Sequence, residues 1–315
     1  MPPLSLRVSL NERCQLRCRY CRPAHAVLPP PGADRPPEDW LRRLTLLAAA
    51  VPLERVRLTG GEPLLYSELL PLVEGCARAG LPDLALTTNG FRLAAAAQAL
   101  RDAGLRRVNI SLDSLDPKRF RLMTGAGPGP VLAAVEAAVA AGLAVKLNAV
   151  ILRGLNDEDL PALLGYAAER GVEIRFLELM PIGPAGAEFE RLFVSGREMK
   201  ERLAEGVRLA PLPYEPGATS RDFVATLADG RQVRCGFILP TSEPFCNGCR
   251  RLRLAADGTV MGCLAQPERL AMDTAMAAAE RGDPEPLRAL VRGALSAKER
   301  GRDFRSQTAM VRVGG

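Results

Sequence analysis

The stretch RVRLTGGEPLLYSELLPLVEGCARAG, residues 55 to 80, contains one complete strand, turn and helix. An alternating apolar pattern over 55–60 predicts a strand, and the pattern over 66–79 predicts a helix. Gly80 stands where a glycine commonly ends a helix. A strand followed by a helix leads to a further parallel strand, so repetition of this unit predicts a parallel sheet covered by helices.

The unit recurs along the first 180 residues. Strands are predicted at 4–10, 55–60, 84–88, 107–112, 144–152 and 172–179, with helices at 37–50, 66–79, 92–103, 129–141 and 157–170. Six units are too few to close an eight-stranded barrel. The predicted fold is therefore α/β, an incomplete, open TIM-type barrel of about six βα units, with ligands at the carboxyl ends of its strands.

The pattern changes after residue 182. A proline-rich segment at 210–220 is followed by hairpin-like turns at Asp229-Gly230 and Asp257-Gly258, and then by helical sequence rich in Ala and Arg. We therefore predict a partial barrel over 1–182 and a C-terminal α+β extension over 183–315.

The composition is typical of a globular protein. The chain is 47% apolar and 25% charged, and its formal charge of +6 suits an anionic ligand without requiring one. The N-terminal residues lack the pattern of an export signal, and no apolar run reaches the roughly 18 residues of a membrane span. We expect a cytoplasmic protein. In that setting, eight cysteines grouped by short spacings favour metal ligation over disulfides.

Three cysteines follow the first predicted strand directly. Cys14, Cys18 and Cys21 have the spacing C-x3-C-x2-C, which places three thiolates on one short loop. Such thiolates bind a metal ion or an iron-sulfur cluster. Three ligands leave one iron of a four-iron cluster open to another molecule. The alternative is a closed zinc site with His25 as the fourth ligand.

A second group of three cysteines lies near the C-terminus. Cys246, Cys249 and Cys263 are accompanied by arginines at 250, 251 and 253. Cys235 lies eleven residues before this triad and could complete a four-cysteine zinc ribbon. Spacing alone does not decide between a metal site on the three thiolates and a zinc ribbon with Cys235 as the fourth ligand.

The motifs resemble those of a known group of enzymes. The loop C-x3-C-x-aromatic-C, with Tyr20 as the aromatic residue, and LTGGEPL at 58–64 are similar to signatures of the radical S-adenosylmethionine (radical SAM) superfamily. The two triads, LTTNG, NISLDSLD, IRFLELMPIG, CRRLRLAADG and the terminal Gly314-Gly315 resemble, more narrowly, the GTP 3',8-cyclase family of molybdenum cofactor biosynthesis.

This resemblance implies cofactors and site residues. The cofactors would be two [4Fe-4S] clusters, one on each triad, and S-adenosylmethionine. The residues lining S-adenosylmethionine would be Tyr20, Gly61, Ser111 and Met180. The residues lining GTP would be Arg7, Arg57, Thr88, Lys146, Arg175, Arg251 and Arg253. Cys76 and Cys235 would be buried structural thiols, and the terminal glycines would enter the cavity.

The resemblance also implies a reaction and partners. A 5'-deoxyadenosyl radical would abstract the hydrogen at C3' of GTP, and the ribose radical would attack C8 of guanine to give (8S)-3',8-cyclo-7,8-dihydro-GTP. An electron donor is required, and cyclic pyranopterin monophosphate synthase would take the product. A homodimer is expected, without nucleic-acid or membrane partners.

Two other functions would explain part of the pattern. Another two-cluster radical SAM enzyme, such as a peptide-modifying one, would explain both triads but not the cations within strands. Arg55 and Arg57 alternate with Val56 and Leu58, so both point to the barrel interior, where a basic face needs an anion. A zinc-stabilised nucleic-acid-binding protein would explain the basic balance, but four Tyr, nine Phe and one Trp leave little aromatic surface for base stacking.

Overall fold

A computed structural model describes residues 1–22, 29–30, 34–215, 217–246, 248–265, 268–296 and 298. Strands and helices alternate through its first half, which confirms the six predicted βα units. The strands are β1 (Leu4–Ser9), β2 (Leu53–Thr59), β3 (Leu84–Thr88), β4 (Arg107–Ser111), β5 (Ala144–Val150) and β6 (Glu173–Leu177). The helices are α1 (Pro37–Ala50), α2 (Leu69–Arg78), α3 (Leu93–Asp102), α4 (Pro117–Thr124), α5 (Gly129–Ala140) and α6 (Leu160–Arg170).

Helix α4 was not predicted from the sequence. It is eight residues long, and half of its residues are charged or polar. Its start nevertheless carries a recognisable signal, because the Asp116 carboxylate accepts hydrogen bonds from the backbone N–H groups of Lys118 and Arg119, and Pro117 occupies the first turn. Gly125 ends the helix at φ 84°, in the left-handed region that favours glycine.

The C-terminal half extends the same sheet on both sides. It contains α7 (Ala185–Leu192), α8 (Gly196–Ala204), β7 (Val207–Pro211), β8 (Arg221–Leu227), β9 (Gln232–Ile238), β10 (Arg251–Leu254), β11 (Val260–Met261), α9 (Asp273–Glu280) and α10 (Glu285–Ser296). The strand order is β11-β10-β1-β2-β3-β4-β5-β6-β9-β8-β7. Strands β10 and β9 pair in parallel with β1 and β6, whereas the two predicted hairpins are antiparallel.

The two faces of the sheet differ in chemistry. Leu4, Leu6 and Val8 of β1 are fully buried with Trp40 of α1 in the main apolar cluster. Arg7 lies between Leu6 and Val8 on the strand, so it points to the opposite, inner face. The helices therefore cover an apolar outer face, and the inner face is left for polar side chains.

The predicted boundary at 182/183 remains a prediction, because the sheet itself continues across it. Among the described residues, no single helix is long and apolar enough to span a bilayer; only α4 and α5 taken together pass that test, and a 99° bend separates them. His25, Gly314 and Gly315 lie outside the described residues, so their predicted roles stay predictions.

Candidate active site

Backbone contacts from two later parts of the chain hold the first cysteine loop. The N–H groups of Gly61 and Glu62 donate to the carbonyls of Asn11 and Arg13, at 2.8 and 2.6 Å. On the other side, the N–H groups of Arg17 and Arg19 donate to the carbonyls at the end of α4, at 2.9 and 3.0 Å. The loop is therefore fixed without secondary structure of its own.

Close packing against the cysteine loop requires glycine at both positions of the pair after β2. A Cβ atom on Gly61 would lie 2.3 Å from the carbonyl oxygen of Arg13, and one on Gly60 would lie 2.8 Å from that of Asn11. Both contacts are closer than real Cβ atoms allow. The pair lets the turn after β2 lie directly on the cysteine loop, whereas its contact with a ligand stays a prediction.

The thiols of the first triad share an environment that disfavours negative charge. Burial raises the pKa of Cys14, and it raises the pKa of Cys18 well above the usual range. Burial and the neighbouring Cys14 and Asp113 raise the pKa of Cys21 to about 12. The three thiols thus oppose one another's ionisation, and positively charged iron would favour their thiolate forms.

Tyr20 lies within this loop and is tied to β4. Its hydroxyl donates to the carboxylate of Asp113 at 2.7 Å, and the other oxygen of Asp113 accepts from the N–H of Val150 at 2.9 Å. Burial raises the pKa of Asp113 to about 6. The aromatic residue of the motif is therefore oriented by a buried carboxylate that follows a neighbouring strand.

The second triad has the opposite electrostatic environment. Arg251 and the ammonium group of Lys298 lower the pKa of Cys249 to about 7 despite its burial. The Lys298 Nζ lies 3.0 Å from the Cys249 carbonyl oxygen and 3.7 Å from its sulfur. Arg253 also interacts with Cys249 and Cys263. Cations therefore stabilise the thiolate of Cys249 before any metal binds.

Strand register brings the predicted cations onto one inner surface. Arg253 is paired with Arg7, and Arg7 with Arg57, across three neighbouring parallel strands. Arg175 of β6 influences Arg7 and Arg57 electrostatically although four strand positions separate β6 from β2. The sheet is therefore curled enough for β6 to face β1 and β2, as an open barrel requires.

These cations destabilise one another. Burial, followed by neighbouring arginines, lowers the pKa of Arg7 and of Arg57 well below the usual range and that of Arg253 to about 9. Burial, followed by Arg175, also lowers the pKa of Lys146, which pairs with Glu173. Within the described residues, the buried Nε atoms of Arg57 and Arg175 have no hydrogen-bond partner. Such donors in a positive interior are suited to an anion.

Thr88, a predicted GTP contact, points away from the inner face of the sheet, whereas its neighbour Thr87 points toward it. Thr88 is buried, and its hydroxyl donates to the Glu62 carboxylate at 2.6 Å. Thr87 is aligned with Asn109, which donates to the Thr87 hydroxyl at 3.1 Å on the inner face. Alternation along β3 therefore gives Thr87, rather than Thr88, the inward direction.

The remaining predicted residues lie at strand ends. Ser111 is the last residue of β4, on its inner face, in register with Asn148. Met180 follows β6 and packs against a small apolar cluster that includes Met261 and Leu264. Arg251 stacks on Phe245, with its guanidinium carbon 4.9 Å from the ring centroid. Met180 and Arg251 therefore both contact residues of the segment that carries the second triad.

The donor sets fit iron-sulfur clusters better than zinc. All eight cysteines are free thiols, and Cys235 and Cys76 are buried, as predicted for structural thiols. Cys235 is aligned with Ile174 on the helix-covered face, opposite to the arginines, so it does not complete a zinc ribbon. In the described part of the chain, no three His, Cys, Asp or Glu side chains are gathered around one ion position. A cubane bound at three separate corners does not need such convergence.

Three buried carboxylates were missed by sequence reasoning. Glu62, Asp113 and Glu178 each follow an inner strand and are 1%, 2% and 3% exposed. Burial raises the pKa of Glu62 to about 7 although Thr88, Asn89 and Leu64 donate to it. All three lie within the quoted motifs LTGGEP, NISLDSLD and IRFLELMPIG, which was the available signal.

Comparison with known proteins agrees with this geometry. The Radical SAM superfamily model matches residues 8–167, and the Molybdenum Cofactor Synthesis C model matches residues 172–304. GTP 3',8-cyclase of Paracoccus denitrificans (strain Pd 1222) is 38% identical over 309 residues, covering 96% of this chain and 88% of that protein. GTP 3',8-cyclase of Moorella thermoacetica is 43% identical over 263 residues, covering 82% and 80%.

Solved structures agree in fold. Streptococcus suis SuiB bound to the precursor peptide SuiA superposes with a TM-score of 0.62 at 17% identity, covering 83% of this chain and 60% of that one. SuiB bound to S-adenosylmethionine gives the same TM-score at 16% identity, covering 88% and 65%. This likeness is one of fold alone. With the match over nearly the whole length of the cyclases, the chain belongs to the GTP 3',8-cyclase family of the radical SAM superfamily.

Proposed function

We propose that this protein converts GTP to 3',8-cyclo-7,8-dihydro-GTP and that its inner arginines bind the triphosphate. The observation that carries the proposal is the pair of buried Nε donors on Arg57 and Arg175 that have no partner in the described part of the chain and are surrounded by further cations beside the second cysteine triad. Family membership indicates the reaction, and the inner cations favour a substrate with several negative charges.

The charge balance supports a triphosphate. GTP carries nearly four negative charges at neutral pH, and guanidinium groups bind phosphate oxygens through paired N–H donors. The inner cations with lowered pKa values repel one another in the protein alone. A bound triphosphate would remove that repulsion and satisfy the unpartnered donors. The proposed lining is Arg7, Arg57, Thr87 in place of Thr88, Lys146, Arg175, Arg251 and Arg253.

The two triads would hold the metal cofactors. Cys14, Cys18 and Cys21 would bind a [4Fe-4S] cluster near Tyr20, Gly61, Ser111 and Met180, the proposed contacts of S-adenosylmethionine, and Cys246, Cys249 and Cys263 would bind a second cluster. When bound, the first cluster and S-adenosylmethionine together supply one-electron chemistry. The chain itself holds the triphosphate, orients the ribose between the two triads and excludes water from the interior.

The proposed partners follow from the chemistry of the reaction. Reductive chemistry requires an external electron donor, and the cyclised nucleotide requires an enzyme that consumes it, here cyclic pyranopterin monophosphate synthase. We also propose a cytoplasmic homodimer, supported by the resemblance to the family. Light scattering of the reconstituted protein at several concentrations would test the dimer, since a constant monomer mass would contradict it.

The triphosphate proposal is tested with Arg57→Gln and Arg175→Gln. Anaerobically reconstituted protein is measured for iron content, S-adenosylmethionine binding and GTP binding by equilibrium dialysis. A lost charge-assisted contact is worth about 1.5–3 kcal/mol, so we expect GTP to bind roughly 10- to 100-fold more weakly in each variant. Iron content and S-adenosylmethionine affinity are expected to stay at the wild-type level.

The matched control is Arg197→Gln, which removes an arginine that is 86% exposed on α8. It should leave GTP affinity unchanged. Wild-type GTP affinity in both inner variants would contradict the proposal. So would guanosine that binds as tightly as GTP, because the triphosphate would then contribute nothing.

A further inference from the structure

Glu178 is a buried carboxylate that joins three segments of the chain. It follows β6 directly and is 3% exposed. One oxygen accepts from the N–H of Gly196 at 2.8 Å and from the Ser242 hydroxyl. The other accepts from the N–H groups of Thr241 and Ser242, each at 3.0 Å. Both oxygens therefore act only as acceptors, toward donors of α8 and of the loop that follows β9.

Three of these four donors belong to Thr241 and Ser242, in the loop that leads into the second triad. This loop leaves β9 after Ile238 and reaches Cys246 without forming a helix or strand. Glu243, the next residue after Ser242, pairs with Lys200 at 3.1 Å, and Phe245 stacks beneath Arg251. The loop is thus held by side chains of other elements at successive positions up to its first thiol.

The residues that follow β6 also pack near Cys263, the last cysteine of the second triad. The N–H of Glu178 donates to the Ile238 carbonyl at 3.1 Å. Met180, two residues later, packs against the apolar cluster that includes Leu264, the neighbour of Cys263 in the sequence. Cys246 and Cys263 are therefore both positioned from the residues that follow β6. Those residues also include the proposed contact of S-adenosylmethionine.

We propose that Glu178 is a positioning residue that fixes the second cysteine triad relative to the end of β6, and thereby sets the separation of the two cluster sites. This inference rests on the proposed function, in which the second triad holds a cluster. Glu178 touches neither proposed cluster. It acts through the backbone of Thr241 and Ser242, which lie outside the family motifs quoted above.

The role requires a carboxylate. In Glu178→Gln, an amide nitrogen that faced the loop would lose both of its N–H donors. An amide nitrogen that faced α8 would lose the Gly196 donor, although the Ser242 hydroxyl could reverse and accept from it. Glu178→Asp keeps both acceptors but shortens the side chain by one methylene. We therefore expect partial retention of the second cluster with Asp and loss with Gln.

The experiment separates the two cluster sites. Glu178→Gln is made in the full chain, in a Cys246→Ala/Cys249→Ala/Cys263→Ala background and in a Cys14→Ala/Cys18→Ala/Cys21→Ala background. After anaerobic reconstitution, iron and sulfide are counted per chain. In the full chain we expect about eight irons to fall to about four, since each cubane holds four. In the background that keeps only the first triad, about four irons should remain; with only the second triad, iron should fall to near zero.

The matched control is Glu198→Gln. Glu198 accepts hydrogen bonds at the start of the same helix, α8, from the N–H and hydroxyl of Ser195, and these bonds do not involve the loop that leads into the second triad. The control should lower thermal stability without changing iron content. If Glu178→Gln kept about eight irons, or lost iron equally from both triads, the inference would be overturned. If the wild type itself held only about four irons, the proposed function would fail first.

Discussion

The cysteines of the two triads differ in pKa because different charges surround them. Burial, neighbouring thiols and Asp113 raise the pKa values of Cys18 and Cys21, whereas Arg251 and Lys298 outweigh the burial of Cys249 and lower its pKa to about 7. The thiol of Cys249 is therefore prepared as thiolate by the protein, whereas Cys18 and Cys21 depend on the metal to release their protons.

This difference predicts selective alkylation of the reduced, cluster-free protein. A thiol with a pKa of about 7 is roughly half ionised at pH 7, so Cys249 should react with iodoacetamide well before Cys18 and Cys21. Its rate should rise with pH up to about 8 and then level off, while the rate of Cys21 should keep rising toward pH 12. Site-resolved mass spectrometry measures each rate.

The control for this prediction is Lys298→Gln. Removal of the ammonium group that lies 3.7 Å from the Cys249 sulfur should raise the pKa of Cys249 and slow its alkylation at pH 7 several-fold. Equal rates at Cys249 and Cys18 in the wild type would contradict the assigned environments.

At the scale of elements, the site depends on how closely one connecting turn packs on another. The turn after β2 carries Gly60 and Gly61 and lies on the backbone of the cysteine loop, and the end of α4 holds that loop from the other side. The strands place these turns at one edge of the sheet, and the contacts between the turns then place the sulfurs.

This packing predicts that Gly61→Ala disturbs the first cluster site. The new Cβ would lie 2.3 Å from the Arg13 carbonyl oxygen, so the turn and the cysteine loop must separate. We expect iron to fall from about eight to about four per chain and the S-adenosylmethionine affinity to fall with it. Iron analysis and equilibrium dialysis on the reconstituted protein are the measurements.

Gly129→Ala is the matched control for that variant. Gly129 begins α5, a Cβ atom added to it would have no described neighbour within 4 Å, and its φ is not positive. Alanine there should leave iron content unchanged; because Pro130 follows, no gain in stability is expected. Full iron content in Gly61→Ala would show that the loop tolerates the displacement.

At the scale of the whole molecule, sequence patterns predicted local structure well and distant pairing poorly. The helix over 37–50 was predicted with its observed bounds because its apolar periodicity is strong and Pro37 marks its start. The parallel pairing of β10 with β1 joins Arg253 to Arg7, residues nearly the whole chain apart, and no local pattern encodes it. The cysteines and strand cations were visible in the sequence. The burial of acceptors such as Glu178 was missed although they lie within the quoted motifs, since an acidic residue is usually exposed.

The concentration of cations inside the barrel predicts stabilisation by anions. Arg7, Arg57, Arg175 and Arg253 repel one another when buried, so a polyanion that enters should raise the melting temperature. Inorganic triphosphate at 100 times its dissociation constant adds about 2.7 kcal/mol, or a rise of roughly 5 °C. Calorimetry or fluorescence melting of the reconstituted protein measures the shift.

Sodium chloride at equal ionic strength is the control for triphosphate, and it should produce a much smaller rise. The variant Arg57→Gln/Arg175→Gln should reduce the response to triphosphate, because two of the converging cations are gone. An equal rise with chloride, or an undiminished rise in the double variant, would show that the anion acts at the outer surface.

The strand order also has a consequence for synthesis of the chain. The outer edge of β1 forms early but is covered only when β10 appears, roughly 240 residues later, which takes on the order of 10–50 s at the ribosome. Until then, the nascent sheet presents an unpaired edge that can pair with another chain. Production of this protein is therefore expected to depend on a low growth temperature or on chaperones that shield that edge, independently of how stable the finished molecule is.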